Sequence, residues 1–362
     1  MGAFIIIGGQ WGDEGKGLIS AYIARREGAT HVGRGGTGPN AEHGIFLEDE
    51  KTYLRCNQLP LGWIFSPDTK ILIGSGVAVN PDLLLEEIIK YNLYDRVFVD
   101  YRAPIITKKN ISDEVASKGM RAIGSTMSGT GECKKDFVAR KALQARNIDV
   151  LAPMLCDIGD EINKASELGT VVVEGSQGTF LSLAYSPDYP NVTSDNVTTM
   201  AVADDVLLSW KNINNVVLVV KTMPTREGNQ YSKNDMGSGR ELSEEEMSSR
   251  NIIENSSIPG KIRRKSEFDF DMLKKAVTIN GATQIAITFM EHMFPEVKNV
   301  KTWGEISQDA RDFIEKVEKE SGIPVTILNT GKAYNNIIDI SFRPKLVNWG
   351  DVKRDLPKYE NN

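Results

Sequence analysis

The chain is expected to fold as α/β, with a large, mostly parallel central sheet flanked by helices. Runs of consecutive apolar, mainly β-branched residues recur at 4–7, 71–73, 97–99, 171–173 and 216–220. Strands that are apolar on both sides belong in a parallel sheet covered on both faces. Helical patterns lie between several of these runs, and strand, helix, strand in repetition is how such a sheet is wound. Three runs also open directly into glycine-rich loops, the position where open α/β sheets hold ligands.

The chain has 362 residues, 40% hydrophobic and 25% charged, which suits a globular protein. A single domain spanning 1–362 is expected, with a polar, Ser- and Asn-rich stretch at 229–257 as a mobile excursion. A net charge of −6 argues against a nucleic-acid partner, which wants a clustered basic face. Cys56, Cys133 and Cys156 are odd in number and lack metal-ligand spacing, so a reducing, cytoplasmic setting is expected. No apolar run is long enough to read as a signal peptide or membrane span.

Taken in order, Phe4-Ile5-Ile6-Ile7 forms the first strand, and Leu18, Ile19, Ala21, Tyr22 and Ile23 form a helix stopped by Gly28. Between them, five glycines let backbone N–H groups close on an anion at the positive helix end, and Lys16 adds a cation. This is a phosphate cradle but not a Walker A loop, since Gly17 stands where Ser or Thr would hold magnesium. Asp13, read as a carboxylate inside a ring of N–H donors, is the substitute; it can take a hard cation or a proton. The alternative, that Asp13 only caps the helix, is disfavoured by Trp11, too bulky for an ordinary tight turn.

A second glycine loop, 33–44, contains Asn40, Glu42 and His43. The run at 71–73 breaks at Gly74 and Gly76, and Asn80 and Pro81 then cap and start a helix through Lys90. A third loop, 123–131, carries Ser125 and Thr126 and leads into a helical pattern bearing Arg140; hydroxyls, N–H groups and an arginine suit a phosphate monoester. The run at 171–173 leads to Gln177, whose amide donates and accepts at once and so suits a purine edge. Beyond 216–220 come the cations Lys261, Arg263, Arg264 and Lys265, then a strand ending at Phe289 and Glu291. A helix at 309–320 and a strand at 325–328 precede Asn329 and Gly331.

The string GGQWGDEGKG resembles the N-terminal loop of adenylosuccinate synthetases, which join aspartate to a purine 6-oxo group using GTP. Gly38-Pro39-Asn40-Ala41-Glu42-His43 is similar to that family's Gly-His-Asn-Ala-Gly-His, and Tyr189-Pro190-Asn191-Val192-Thr193-Ser194 to its Tyr-Pro-Tyr-Val-Thr-Ser. The loop at 260–264 aligns with its arginine loop. The resemblance runs in order from Phe4 to Asp339.

It implies a P-loop-like nucleotide ligase fold with Asp13, His43, Lys16 and Gln177 in catalysis. Asp13 would take the N1 proton, O6 would attack the γ-phosphate, and aspartate would then displace phosphate at C6. The donor nucleotide would meet Gly12, Glu14, Gly15, Lys16, Gly17, Arg263, Phe289, Glu291, Asn329 and Gly331. Asn40, Ser125, Thr126, Arg140, Gln177, Thr193 and Lys261 would hold the purine monophosphate; Ser257, Gly260, Lys261 and Arg263 the aspartate. Mg²⁺ is the expected cofactor, on Asp13 and Glu42, and GTP the expected donor. Phe289 and Glu291 depart from the usual guanine-reading residues, which leaves ATP open as a donor. Arg140 would reach the site of a neighbouring subunit in a homodimer. The Lys-Ile-Arg-Arg loop, Glu42, Gly44 and the short chain resemble a viral branch that uses dGMP, and the sequence alone favours that substrate. Retention of Asp13 points instead to the IMP-using members. A non-catalytic GTP-binding module is the remaining reading.

Overall fold

The computed structural model describes residues 2–227, 236–255 and 262–343. Fourteen strands occur among them: β1 Gly2–Gly8, β2 His31–Arg34, β3 His43–Phe46, β4 Tyr53–Cys56, β5 Lys70–Ile73, β6 Val97–Asp100, β7 Leu155–Cys156, β8 Thr170–Glu174, β9 Ile213–Lys221, β10 Thr225–Arg226, β11 Arg264–Lys265, β12 Gln284–Thr288, β13 Val325–Asn329 and β14 Ile337–Asp339. The helices are α1 Lys16–Arg26, α2 Pro81–Tyr91, α3 Lys108–Ala116, α4 Lys118–Ala122, α5 Thr130–Val138, α6 Ile158–Leu168, α7 Thr199–Asp205, α8 Glu244–Ser249, α9 Phe270–Asn280, α10 Met290–Met293 and α11 Gln308–Ser321.

Ten strands make one sheet in the order β14-β13-β12-β9-β1-β8-β2-β5-β6-β7. Every pairing in it is parallel except β13 with β14. β1 lies in the middle, and alternate side chains feed two cores. Ala3, Ile5 and Ile7 pack beneath α6, α7, α9 and α11, whereas Phe4 and Ile6 pack beneath α1 and α2. Each fully buried Val or Ile removes enough apolar surface to favour folding by about 1.5–3 kcal/mol, which is why these runs form strands with both faces covered.

The caps agree with the sequence. Asn80 accepts from the Asp82 and Leu83 amides with Pro81 opening α2, and α1 ends just before Gly28, which has φ 59°. One helix is shorter than its pattern suggests: α5 ends at Val138, and Arg140 lies beyond it at φ 61°. Of the stretch 229–257, residues 236–255 are described; they include α8, whose Met247 packs with Leu242, Ile252 and Met223. The remainder of that stretch lies outside the described residues. Among the described residues no helix is long and apolar enough to cross a membrane.

Candidate active site

The loop between β1 and α1 is built around Glu14. Its fully buried carboxylate accepts from the Gln10 amide (3.0 Å), the Gly12 amide (2.9 Å) and Lys16 Nζ (2.8 Å). The carboxylate inside the ring of N–H donors is therefore Glu14, not Asp13 as the sequence suggested. The Glu14 side chain is turned inward and braces the loop. Gln10 pins the loop to the end of β9 by exchanging bonds with the backbone of Lys221 (3.0 and 2.9 Å).

Asp13 points the other way, at φ 60°, with its side chain 40% exposed. Arg263 Nη1 lies 2.8 Å from its carboxylate, and the same guanidinium reaches Glu227 at 3.0 Å. Desolvation by the cleft walls raises the pKa of Asp13 above the usual carboxylate range, while Arg263 and Lys221 pull it back. Beneath, the loop after β8 presses close: a Cβ on Gly178 would lie 2.4 Å from the Gln10 carbonyl and 2.5 Å from the Gly12 amide nitrogen. Only glycine fits there, and the fit brings Gln177 under Gly12.

Gln177 adopts φ 50°, and its amide oxygen accepts from Thr37 Oγ1 (2.7 Å) and Ser176 Oγ (2.6 Å). Its Nε2 is buried and finds no partner among the described residues. Thr193 Oγ1 lies 3.3 Å from Thr37 Oγ1 and 3.5 Å from Asn40 Nδ2, and Asn40 Oδ1 is likewise buried without a partner. Two orphaned amide atoms in one place have the donor and acceptor character a polar ligand requires. Farther along, Gly129 caps α5 without a side chain, and its amide donates to the Glu114 carboxylate. Thr126 binds Ser128 Oγ (3.1 Å), whereas Ser125 Oγ is held by Glu114. Arg140 is exposed.

His43 sits against α1, in a buried knot that sequence reasoning missed. It contacts Glu174, with Arg34 Nη1 at 2.7 and 3.3 Å from its two ring nitrogens and Glu174 itself 3.1 Å from Arg34. Burial, with the Arg34 charge beside it, pushes the His43 pKa down to about 4, so the imidazole is neutral near pH 7. Burial alone would raise Glu174, but its partners outweigh that and hold it near 2; Arg34 is the permanent cation, and the ion pair is Arg34 with Glu174. The signal was present: Arg34 ends β2 after Val32 and Gly33, Glu174 ends β8 after three valines, and neither can be buried unpaired.

Two strands from β1, across β9, the end of β12 forms the other wall. Thr288 Oγ1 binds the Glu14 carbonyl (2.7 Å), and the Phe289 ring lies near Gly15 with Lys221 Nζ 4.2 Å from its centroid. Glu291 has a buried Oε2 with no partner among the described residues, and burial raises its pKa. Asn329 accepts from the Phe289 amide (3.4 Å) and donates to the Gly331 carbonyl (2.6 Å). Behind Phe289, Glu254 bridges the fully buried Lys221 and Lys265. Ser257, Gly260 and Lys261, expected at the aspartate, lie outside the described residues.

Among the described residues there is no cluster of three or more His, Cys, Asp or Glu that could hold a metal. Asp13 fits as a single oxygen ligand for Mg²⁺, which is usually completed by phosphate oxygens and water. The half-exposed carboxylate of Glu42, the other expected ligand, is engaged by Arg55 (3.2 Å) and Tyr53 (3.4 Å).

A central parallel strand feeding a glycine cradle with a buried lysine, faced by further strand-end loops, defines a phosphate-handling α/β protein. A family model for adenylosuccinate synthetase matches residues 5–151 and 145–298. The adenylosuccinate synthetase of Methanocaldococcus jannaschii is 39% identical over 344 residues, 93% of this chain and 96% of that protein. That of Archaeoglobus fulgidus is 39% identical over 345 residues, 94% and 98%. The chain belongs to the adenylosuccinate synthetase family, and is a C–N ligase. The fold is shared with the fully ligated adenylosuccinate synthetase of Plasmodium falciparum (TM-score 0.81, 21% identity, 93% of this chain and 99% of that one). It is also shared with the succinoaminodeoxyadenylate synthetase of cyanophage S-2L, solved with dGMP and dATP (TM-score 0.79, 24% identity, 93% and 95%).

Proposed function

We propose that this chain joins L-aspartate to C6 of IMP at the expense of GTP, through a 6-phosphoryl intermediate, with Mg²⁺ as cofactor. The observation that carries this reading is the pairing across Gly12 of an outward carboxylate with a raised pKa and an unpartnered amide donor. Asp13 accepts the N1 proton of the 6-oxopurine while Gln177 Nε2 donates to its polar edge. O6 then attacks the γ-phosphorus, the bond from that phosphorus to the β,γ-bridging oxygen breaks and GDP leaves, while Lys16, oriented by Glu14, balances charge at the phosphates. When bound, Mg²⁺ supplies further charge neutralisation, with Asp13 as its protein ligand. The amine of aspartate, its carboxylates drawn by Arg263, finally displaces phosphate from C6. His43 serves as a charge stabiliser once its ring turns from Arg34 toward the cleft. Phe289 offers a stacking face and Glu291 an acceptor for the donor base.

IMP takes precedence over the dGMP that the sequence alone favoured, because archaeal relatives named adenylosuccinate synthetase are 39% identical over nearly the whole chain. The cyanophage enzyme shares the fold at 24% identity. A second reading, dGMP as acceptor, is favoured by Glu42, Gly44 and the Lys-Ile-Arg-Arg loop. Purified protein with aspartate and Mg²⁺, supplied with IMP, GMP or dGMP crossed with GTP or ATP, separates the two by phosphate release. Fastest release with IMP and GTP is expected; release with dGMP alone would establish the second reading, and release with none would end both.

A further inference from the structure

Behind the proposed monophosphate site lies a buried carboxylate that the reaction itself does not use. Asp205, the last residue of α7, is 8% exposed and accepts from the Gly36 amide at 2.7 Å. Its side chain covers Gly76 so closely that a Cβ there would lie 2.2 Å from Oδ1, and its carbonyl accepts from the Gly76 amide at 2.9 Å. Lys134 of α5 binds the Gly76 carbonyl and the Asp195 carboxylate.

Three segments therefore converge here. The first is the loop after β2, whose Gly36 precedes Thr37 and leads to Asn40. The second is the 193–195 segment, where Asp195 follows Thr193 by two residues. The third is α5, whose N-terminus is tied to the Ser125 loop through Glu114. The first two of these carry Thr37, Asn40 and Thr193, which meet one another and Gln177 from the loop after β8.

We infer that Asp205 is a positioning residue for the purine monophosphate, its ionised carboxylate holding the Gly36 amide so that the 37–40 loop presents Thr37 and Asn40 to the ligand. This rests on the acceptor site proposed above. A carboxylate accepting from an amide binds it roughly twice as strongly as a neutral acceptor, so the charge itself tightens the loop. The groups facing Asp205 are Lys134 on α5, which favours its charge, and Asp195 and Asp204, which oppose it. Burial outweighs them and lifts its pKa to about 7. The loop would therefore tighten as pH rises through neutrality.

The test is Asp205→Asn, which keeps an acceptor oxygen and the shape while removing the charge. IMP binding to the full chain, measured by calorimetry between pH 6 and 8.5, should weaken about tenfold at pH 8.5. The deficit should shrink to within about twofold at pH 6, where the wild-type carboxyl is itself neutral. Taking the ratio of variant to wild type cancels the second ionisation of the nucleotide phosphate, near pH 6. In steady state, KM for the monophosphate should rise while kcat and KM for the donor stay within about twofold. Thermal unfolding of the variant above pH 7 should be no lower than wild type, since it no longer buries a charge. Equal affinity at pH 8.5, or a deficit constant across pH, would overturn the inference while leaving the acceptor site standing. Absence of IMP and dGMP binding by the wild type would overturn both.

Discussion

Asp13 and Glu14 are adjacent acids with opposite tasks. Glu14 absorbs two loop amides and Lys16, and so frees Asp13 to face the cleft at φ 60°. A non-glycine residue in that conformation is held there by its surroundings at a cost of roughly 1–2 kcal/mol, and Asn and Asp tolerate it best. Asp13→Asn should therefore leave the melting temperature at or above wild type. Turnover should fall by two or more orders of magnitude, the usual cost of losing a proton acceptor. Phosphate release together with a thermal melt checks both parts. Near-normal turnover would remove Asp13 from proton transfer. Because desolvation raises the Asp13 pKa, the wild-type acid limb of kcat/KM should lie above the ordinary carboxylate range and be missing from residual activity in the variant.

Between elements, the Arg34, His43 and Glu174 knot ties the ends of β2, β3 and β8, and Glu174 also accepts from the Leu61 amide (2.9 Å). Glu174→Gln leaves Arg34 buried without a carboxylate, and breaking a buried pair in this way costs about 3–5 kcal/mol. Denaturant unfolding at pH 7 should show that loss. The folded pKa of Glu174 lies below its unfolded value, so its contribution is present above the ordinary glutamate range and fades as pH falls toward 2. Stability of the variant should lack that acid-dependent fall; an unchanged midpoint would mean the knot is solvated. This knot also marks where sequence reading stopped. Apolar runs such as 171–173 reveal strands because burial on both faces leaves a one-dimensional signature, and Asn80 with Pro81 marks a helix start equally locally. The partnership of Arg34 with Glu174 spans 140 residues, and the choice of Glu14 over Asp13 as the loop's inner carboxylate depends on which way each side chain turns. A charge at a strand's end signals that a partner is needed, but nothing in residue order says which partner or which way a side chain turns. Thr193 and Asn40 entered through the family resemblance and Gln177 through its place at a strand's end; Thr37, which the sequence did not single out, links Gln177 to Thr193, and Thr193 meets Asn40.

For the whole molecule, the open question is whether one chain makes a complete site. Arg140 sits past the end of α5 at φ 61°, exposed, in a stretch that also exposes Val138 (78%), Leu143 and Val150. Exposed apolar side chains in the same stretch as an exposed arginine suit a surface that a second copy covers. If Arg140 completes the monophosphate site of a neighbouring subunit, each site in a two-fold dimer draws Asp13 from one chain and Arg140 from the other. Asp13→Ala and Arg140→Leu would each be nearly inactive alone. Mixed in equal amounts and allowed to exchange, half the dimers would be heterodimers, and each of those would hold one intact site and one doubly damaged one. Roughly a quarter of wild-type activity should return, with light scattering confirming the dimer. Were Arg140 to act within its own chain, mixing would restore nothing, because no site could combine an intact Asp13 with an intact Arg140 from different subunits.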